Sequence, residues 1–451
     1  MEIAILRRNG IDLPYWLRKA ATAIFLCLVL SLYLMGTSGS NKRTDNPLQT
    51  YLRIAEKQNP GLKAARQRWN AALERVVQAR SLPDPHISLA YFIREVETRV
   101  GPQQYKLGLM QRFPWFGKRS LEGKIAKEGA DGLKHRYDTL KLGLFYKISK
   151  RYYDYYLITR SIAILDVSIS LLESVEKQVE TAYSTGTASY GTILRIQLER
   201  DKLKDRQRSL RSKLTVLRTA INGSLNRASQ KEICVPDRLD SIDRQPDVNT
   251  LAKILAHENP ELKQHERLIG AAAARVKLSK KAYYPDISLG MDMIGTASTG
   301  NIDLVDNGKN PFAIKLSANI PIGRGKIRAS IRESRLRLEA GKNRKVDKAN
   351  QLRAELEMAL FRFNEAGRIV RLYQVKLIPR ATQAYEVTSS AFSTAAATFN
   401  DFIDTQRTLL EFELMVEKAK VTQYQSLALL EKIIGRRLGG EHPVSNVEEV
   451  K

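Results

Sequence analysis

The stretch from Pro83 to Lys118 contains Ile87-Ser88-Leu89-Ala90-Tyr91 and ends on Gln111-Arg112-Phe113-Pro114-Trp115-Phe116-Gly117-Lys118. Ile87, Leu89, Tyr91 and Ile93 share one parity, with Ser88, Ala90 and Arg94 on the other. Tyr105, Leu107, Leu109 and Phe113 likewise oppose Lys106, Gly108 and Arg112. Alternation with period two marks β-strands that are apolar on one face. The spacing predicts a hairpin with strands over about 86–96 and 104–113, each near the 9–11 residues that a tilted membrane strand needs.

The same design returns further on. Asn59-Pro60 recurs as Asn259-Pro260, Leu62-Lys63 as Leu262-Lys263, and Pro85-x-Ile87-Ser88-Leu89 as Pro285-x-Ile287-Ser288-Leu289, all at an offset of 200 residues. Phe113-Pro114 answers to Ile320-Pro321, Gly117-Lys118 to Gly325-Lys326, and Tyr183-Ser184-Thr185 to Phe392-Ser393-Thr394. The chain reads as a tandem duplication of a helix–strand–strand–helix–helix unit. The first repeat covers 40–235 and the second 250–440. A polar linker with Pro246 (236–249) joins them, and a tail (441–451) follows.

Working outward, Leu52, Ala55, Leu62, Ala65, Trp69, Leu73 and Val76 keep helical spacing before the first hairpin. After it, long helices are expected over about 119–185 and 190–225, with Leu203, Leu210 and Leu217 as a heptad seam. Glycines 123, 129, 132 and 143 weaken the start of the first and admit a break there. The second repeat predicts strands over about 286–294 and 311–320 and helices over about 326–393 and 399–434, with a kink at Pro379. A helix of roughly 100 Å cannot fill a globule and must pack sideways on others.

Charge and targeting bound the class. The 451 residues carry 74 basic and 48 acidic side chains, a formal charge of +26. Such a balance suits anionic surfaces or cargo, or solubilised long helices. No basic run is interleaved with stacking aromatics, which argues against nucleic acid. Residues 1–39 read as an export signal, with Arg7, Arg8, Arg18 and Lys19 ahead of an apolar run from Ala20 to Leu34 and small residues at Gly36-Thr37-Ser38-Gly39. Cys27 lies inside that run, leaving Cys234 with no partner in a processed chain.

Four amphipathic strands cannot close a barrel, and an open sheet edge cannot sit in lipid. Several chains would have to share one barrel, and three would supply twelve strands. With the duplication, the Pro-x-Ile-Ser-Leu strand openings, Phe-Pro-Trp-Phe-Gly-Lys and Leu377-Ile378-Pro379-x-Ala381, the chain resembles the TolC-type outer-membrane factors. These are exit ducts of tripartite efflux pumps and type I secretion systems. The Phe-Pro-Trp-Phe-Gly-Lys wording looks closest to members serving heavy-metal or cation efflux.

The resemblance implies a mixed α and β membrane protein: a homotrimeric twelve-stranded β-barrel in the outer membrane of a Gram-negative bacterium, continued by a periplasmic α-helical barrel. It implies two partners, a periplasmic membrane-fusion adaptor and an inner-membrane pump of RND or ABC type. Ile87, Leu89, Tyr91, Leu107, Leu109, Leu289, Ile314 and Leu316 would face lipid. Gly186, Thr187, Ala188, Ser189, Ala395, Ala396 and Thr398 would form the adaptor-contacting helix tips. Asp401 and Asp404 fall where the family rings its pore constriction, and gathering them by threefold symmetry would raise some of their pKa values. Some members hold the entrance shut with an arginine–aspartate link; those positions read Ala397 and Thr192 here, which implies a closed state held differently or less tightly.

Other chemistry is thin. His257, Glu261 and His265 stack at i, i+4 and i+8 and suggest a metal triplet, although charged helices produce such triplets often. Gly323-x-Gly325 lacks the third glycine of a phosphate loop. No nucleophile–base arrangement stands out, so no enzyme, cofactor or metal site is expected. The rival readings are the outer-membrane component of a type I protein secretion system and an exported basic coiled-coil scaffold without channel activity.

Overall fold

The computed structural model describes residues 47–438 apart from 244, 245, 301, 302, 304 and 395. The expected signal over 1–39, the tail over 441–451 and Ala395 lie outside the described residues. The chain divides into the units Met1–Gln49 and Thr50–Lys451. Only the first turn of α1 represents the former among the described residues, and the account below concerns the latter.

Helices α1 (Pro47–Gln58) and α2 (Pro60–Arg80) meet at Asn59, and α5 (Val248–Glu258) and α6 (Pro260–Lys280) meet at Asn259. Proline tolerates the first helical turn because its missing N–H would find no partner there. The preceding Asn side chain accepts from the amide of Leu62 at 3.1 Å in one case and of Leu262 at 3.0 Å in the other. Each Asn also reaches outward. The Asn59 amide donates to the Ser224 carbonyl at 2.9 Å and the Asn259 amide to the Ile433 carbonyl at 2.7 Å. One side chain thus caps the start of one helix and binds an orphan carbonyl at the end of another.

Between these elements lie α3 (Lys118–Ser184) and α4 (Tyr190–Ser224), and later α7 (Arg324–Leu372), α8 (Ile378–Ser393) and α9 (Phe399–Ile434). The break that the glycines admit does not occur, and α3 runs 67 residues without interruption. Gly123 serves close approach, whereas a Cβ on Gly129 or Gly143 would meet no atom within 4 Å. A Cβ on Gly123 would lie 2.6 Å from the Arg80 side chain, and one on Gly132 would touch Leu268. The expected kink at Pro379 takes the form of a π turn over Tyr373–Leu377 that divides α7 from α8. A proline frees the carbonyl four residues back, and widening the preceding turn accommodates the change.

The sheet is antiparallel in the order β1 (His86–Val96), β2 (Gln103–Phe113), β3 (Ile287–Thr296), β4 (Phe312–Ala318). Its two hairpins join through the β2–β3 pair, in which Phe113 lies opposite Ile287.

Apolar residues of α3, α4 and α9 share one core, including Leu165, Leu172, Ile196, Leu203, Phe402 and Leu410. A second core joins α5 and α6 to α7 and α9 through Leu255, Leu262, Leu356, Phe363 and Leu430. The segment between α4 and α5 is pinned onto the helices rather than strung free. The Tyr156 hydroxyl, buried, donates to Glu417 at 2.9 Å and accepts the Leu239 amide at 3.1 Å, while Gln423 exchanges two hydrogen bonds with the Ile242 backbone. Cys234 in that segment is exposed.

Candidate functional site: helix tips, sheet face and the joint between them

The first helix turn forms because Gly186, at φ 79°, adopts a left-handed conformation that L side chains rarely take. The Thr187 amide then reaches back to the Ala182 carbonyl at 2.8 Å. Thr187, Ala188 and Ser189 follow, with Ser189 at the N-cap position of α4 and its hydroxyl 3.1 Å from that of Thr192. At the second turn the Ala396 amide bonds the Ala391 carbonyl at 2.8 Å, and Thr398 caps α9. Hydroxyl-to-backbone bonds from Thr185, Thr187 and Thr394 tighten both turns.

Asp401 closes a capping box. Its carboxylate accepts from the Thr398 hydroxyl at 2.6 Å and the Thr398 amide at 3.0 Å, while Thr398 accepts from the Asp401 amide. The Thr398 hydroxyl, then its amide, holds this carboxyl below the ordinary aspartate range, so within one protomer its shift is downward. Asp404 lies one turn on, exposed, 3.6 Å from Arg407. The positions of the arginine–aspartate link, Ala397 and Thr192, carry no charge, but an ion pair joins α4 and α9 nearby. Arg407 on α9 binds both oxygens of Glu199 on α4, and Arg195 donates to Asn400 at 3.3 Å. No local pattern links positions 208 residues apart.

On the sheet, register assembles the apolar residues into rows. Ile87, Leu109, Met291 and Ile314 lie side by side across all four strands, as do Leu89, Leu107, Met293 and Phe312. Tyr91 pairs with Tyr105, and Leu289 with Leu316, on the same face. Ile87 is 72% exposed and Ile314 77%, a large apolar surface with no protein against it. The opposite face carries Ser88, Gly108, Asp292 and Ala313 in one row, with Lys106 bound to Asp292 at 2.8 Å. One face is continuously apolar, and the other mixes these polar residues with Met110 and Ile294.

Sheet and helices meet at Asp286, the residue passed over inside Pro-x-Ile-Ser-Leu. Its carboxylate receives Arg112 at 2.5 Å, Lys118 at 2.7 Å and the Trp115 amide at 2.9 Å. Trp115 stacks on Tyr284 with ring centres 5.4 Å apart. Burial alone would push the Asp286 carboxyl up. The Lys118 and Arg112 hydrogen bonds, with the Trp115 amide, outweigh it and bring the pKa down to about 2. The Phe-Pro-Trp-Phe-Gly-Lys stretch is therefore one half of a clamp.

The metal triplet does not form. The chain breaks at Asn259 between His257 and Glu261, and Glu261 pairs with Lys348 at 2.8 Å. Among the described residues no cluster of metal-binding side chains is present.

Residues 251–436 match the family model described as outer membrane efflux protein. The chain is 24% identical over 330 residues to the pyoverdine export outer membrane protein OpmQ of Pseudomonas aeruginosa, covering 71% of this chain and 67% of that protein. It is 19% identical over 398 residues to the cobalt-zinc-cadmium resistance protein CzcC of Cupriavidus metallidurans, covering 86% and 90%. The structure resembles the outer membrane protein VceC of Vibrio cholerae, with a TM-score of 0.72 at 15% identity, over 86% of this chain and 96% of that one.

Proposed function

We infer that this chain, which belongs to the outer membrane efflux protein family, is the outer-membrane exit duct of a tripartite efflux pump. The observation that carries the reading is the pair of apolar rows crossing four strands. Such a face is stable against hydrocarbon and costly against water. The sheet has free edges at β1 and β4, and bare backbone cannot face lipid. Three copies, edge to edge, make a closed twelve-stranded barrel, with the Lys106–Asp292 face lining its interior. The matching element order of residues 47–224 and 248–434 supports a tandem duplication, which gives each subunit two hairpins.

The long helices extend the duct into the periplasm. Gly186, Thr187, Ala188, Ser189, Ala395, Ala396 and Thr398 then form the tips that receive the adaptor. Asp401 and Asp404 ring the narrowest point and favour cations. An inner-membrane pump supplies the energy, and the duct is a passive, gated path. The name of CzcC and the Phe-Pro-Trp-Phe-Gly-Lys stretch favour a metal-cation pump as the partner.

The test is cross-linking and mass determination on detergent-extracted outer membranes. A heat-sensitive species of three chains is expected. A monomer or dimer released by salt would overturn the reading in favour of a basic scaffold.

A further inference from the structure

The strongest charge asymmetry lies just below the sheet. Residues 324–345, the start of α7, hold nine basic side chains against Glu333 and Glu339 alone. Arg335, in this run, faces a cavity of about 930 Å³ that Lys277, Lys280 and Lys281 also line, together with Tyr283 and Tyr284. Among the described residues none of the four cations pairs with a carboxylate. Lys281 lies over the Tyr284 ring, 5.2 Å from its centre. Four unneutralised charges around one cavity repel each other unless an anion joins them.

The position of the cavity selects the anion. Tyr283 and Tyr284 immediately precede β3, whose apolar residues begin at Ile287, and both are partly exposed. Aromatic side chains with one polar end, set at the limit of an apolar band, mark the depth of lipid headgroups. Arg335 lies eleven residues into α7, roughly 16 Å from its start, so the basic stretch stays close to that depth.

We propose that this cavity binds the phosphate headgroup of an anionic phospholipid in the periplasmic leaflet of the outer membrane. Lys277, Lys280, Lys281 and Arg335 supply charge-assisted hydrogen bonds to the phosphate, and the tyrosines cover the glycerol end. The inference rests on the strands spanning the outer membrane. It gives a local role to part of the +26 charge, which a purely solubilising function would distribute evenly.

The test uses the full-length protein extracted in detergent and offered phosphatidylglycerol, phosphatidylcholine or inorganic phosphate, with retained molecules counted by native mass spectrometry. Phosphatidylglycerol should be retained in preference to phosphatidylcholine. The variant Lys277→Gln/Lys280→Gln/Lys281→Gln/Arg335→Gln should weaken that retention at least about tenfold. A control of equal charge change, Arg206→Gln/Arg208→Gln/Lys213→Gln/Arg380→Gln, should leave it unchanged. Equal retention of the two lipids, undiminished retention by the four-site variant, or capture of inorganic phosphate alone would each overturn the proposal. Fractionating the same cells separates the two readings. Wild-type protein absent from the outer membrane defeats the duct, whereas protein that fractionates there without lipid preference defeats only the headgroup site.

Discussion

Arg407 of α9 grips Glu199 of α4 through both carboxylate oxygens, Nε at 3.0 Å and Nη2 at 2.5 Å. A bidentate pair fixes orientation as well as distance. The Glu199 side chain is about 10% exposed and the Arg407 side chain 45%, so the grip lies between a surface pair and a core one.

Breaking that grip should loosen the tips. Arg407→Ala and Glu199→Gln are each expected to raise single-channel conductance in planar bilayers, with little effect on trimer formation. Unchanged conductance would assign the pair to stability alone. The hydrogen bond from Arg407 is the main cause holding the Glu199 carboxyl below its ordinary range, against burial that pushes it up. A depressed carboxyl stabilises above its unfolded pKa of about 4.3 and loses that contribution as pH falls through its folded value. Wild-type conductance should therefore stay flat from neutrality to about pH 5 and rise only below about pH 4.

Asp401 and Asp404 separate by role. Replacing both by Ala should reduce cation selectivity in bilayer recordings, and unchanged selectivity would remove them from the constriction. Because Asp401 also closes the capping box, Thr398→Ala is the matched control. It costs about 1 kcal/mol of local helix stability while keeping both carboxylates. Hydrogen exchange at Phe402 and Ile403 should rise in that control without a change in selectivity.

Asp286→Asn removes the charge that three donors share. Lys118 then remains beside a neutral group while Arg112, 58% exposed, can turn to water, at a cost of about 2 kcal/mol. The heat-sensitive oligomer should dissociate at a clearly lower temperature. Folding depresses this carboxyl, so its stabilisation is present above the unfolded pKa of about 3.9 and disappears as pH falls through about 2. The wild-type protein should show that acid dependence and Asp286→Asn should lack it.

The two Asn-Pro breaks predict a graded pair. Asn259 is buried and its bond to Ile433 is shielded, whereas the Asn59 bond to Ser224 is only part-buried. Asn259→Ala should destabilise by about 2 kcal/mol and Asn59→Ala by about 1, compared by chemical denaturation in detergent. Equal effects would mean that the burial of the Asn259–Ile433 bond adds nothing.

Where the causes are local, the sequence is readable. Alternation at Ile87, Leu89 and Tyr91 is a property of neighbouring residues, and so is the start of α9, set by the Thr398 hydroxyl and the Asp401 carboxylate. The joint and the Arg407–Glu199 pair are not legible because they are contacts across distance. Asp286 meets Arg112 and Lys118 more than 160 positions away, and its neighbours in sequence give no sign of them. The unbroken α3 is a similar case. Gly123 looks like a weak point until the Arg80 side chain is seen lying against it. The three-residue spacing of Asp401 and Asp404 was plain, but not that the first of them is already engaged by Thr398.

The difference between α3 and its counterpart has a mechanical side. A helix without a break from Lys118 to Ser184 is torsionally stiff, and a twist applied at the Gly186 turn would be carried along it toward the Asp286 clamp. The counterpart carries a π turn at Tyr373–Leu377, a coupling that yields. Torque from a docking adaptor would wind up in the first hairpin and be absorbed as movement in the second, so α8 and the tip end of α9 would swing while α3 and α4 stand as the fixed post.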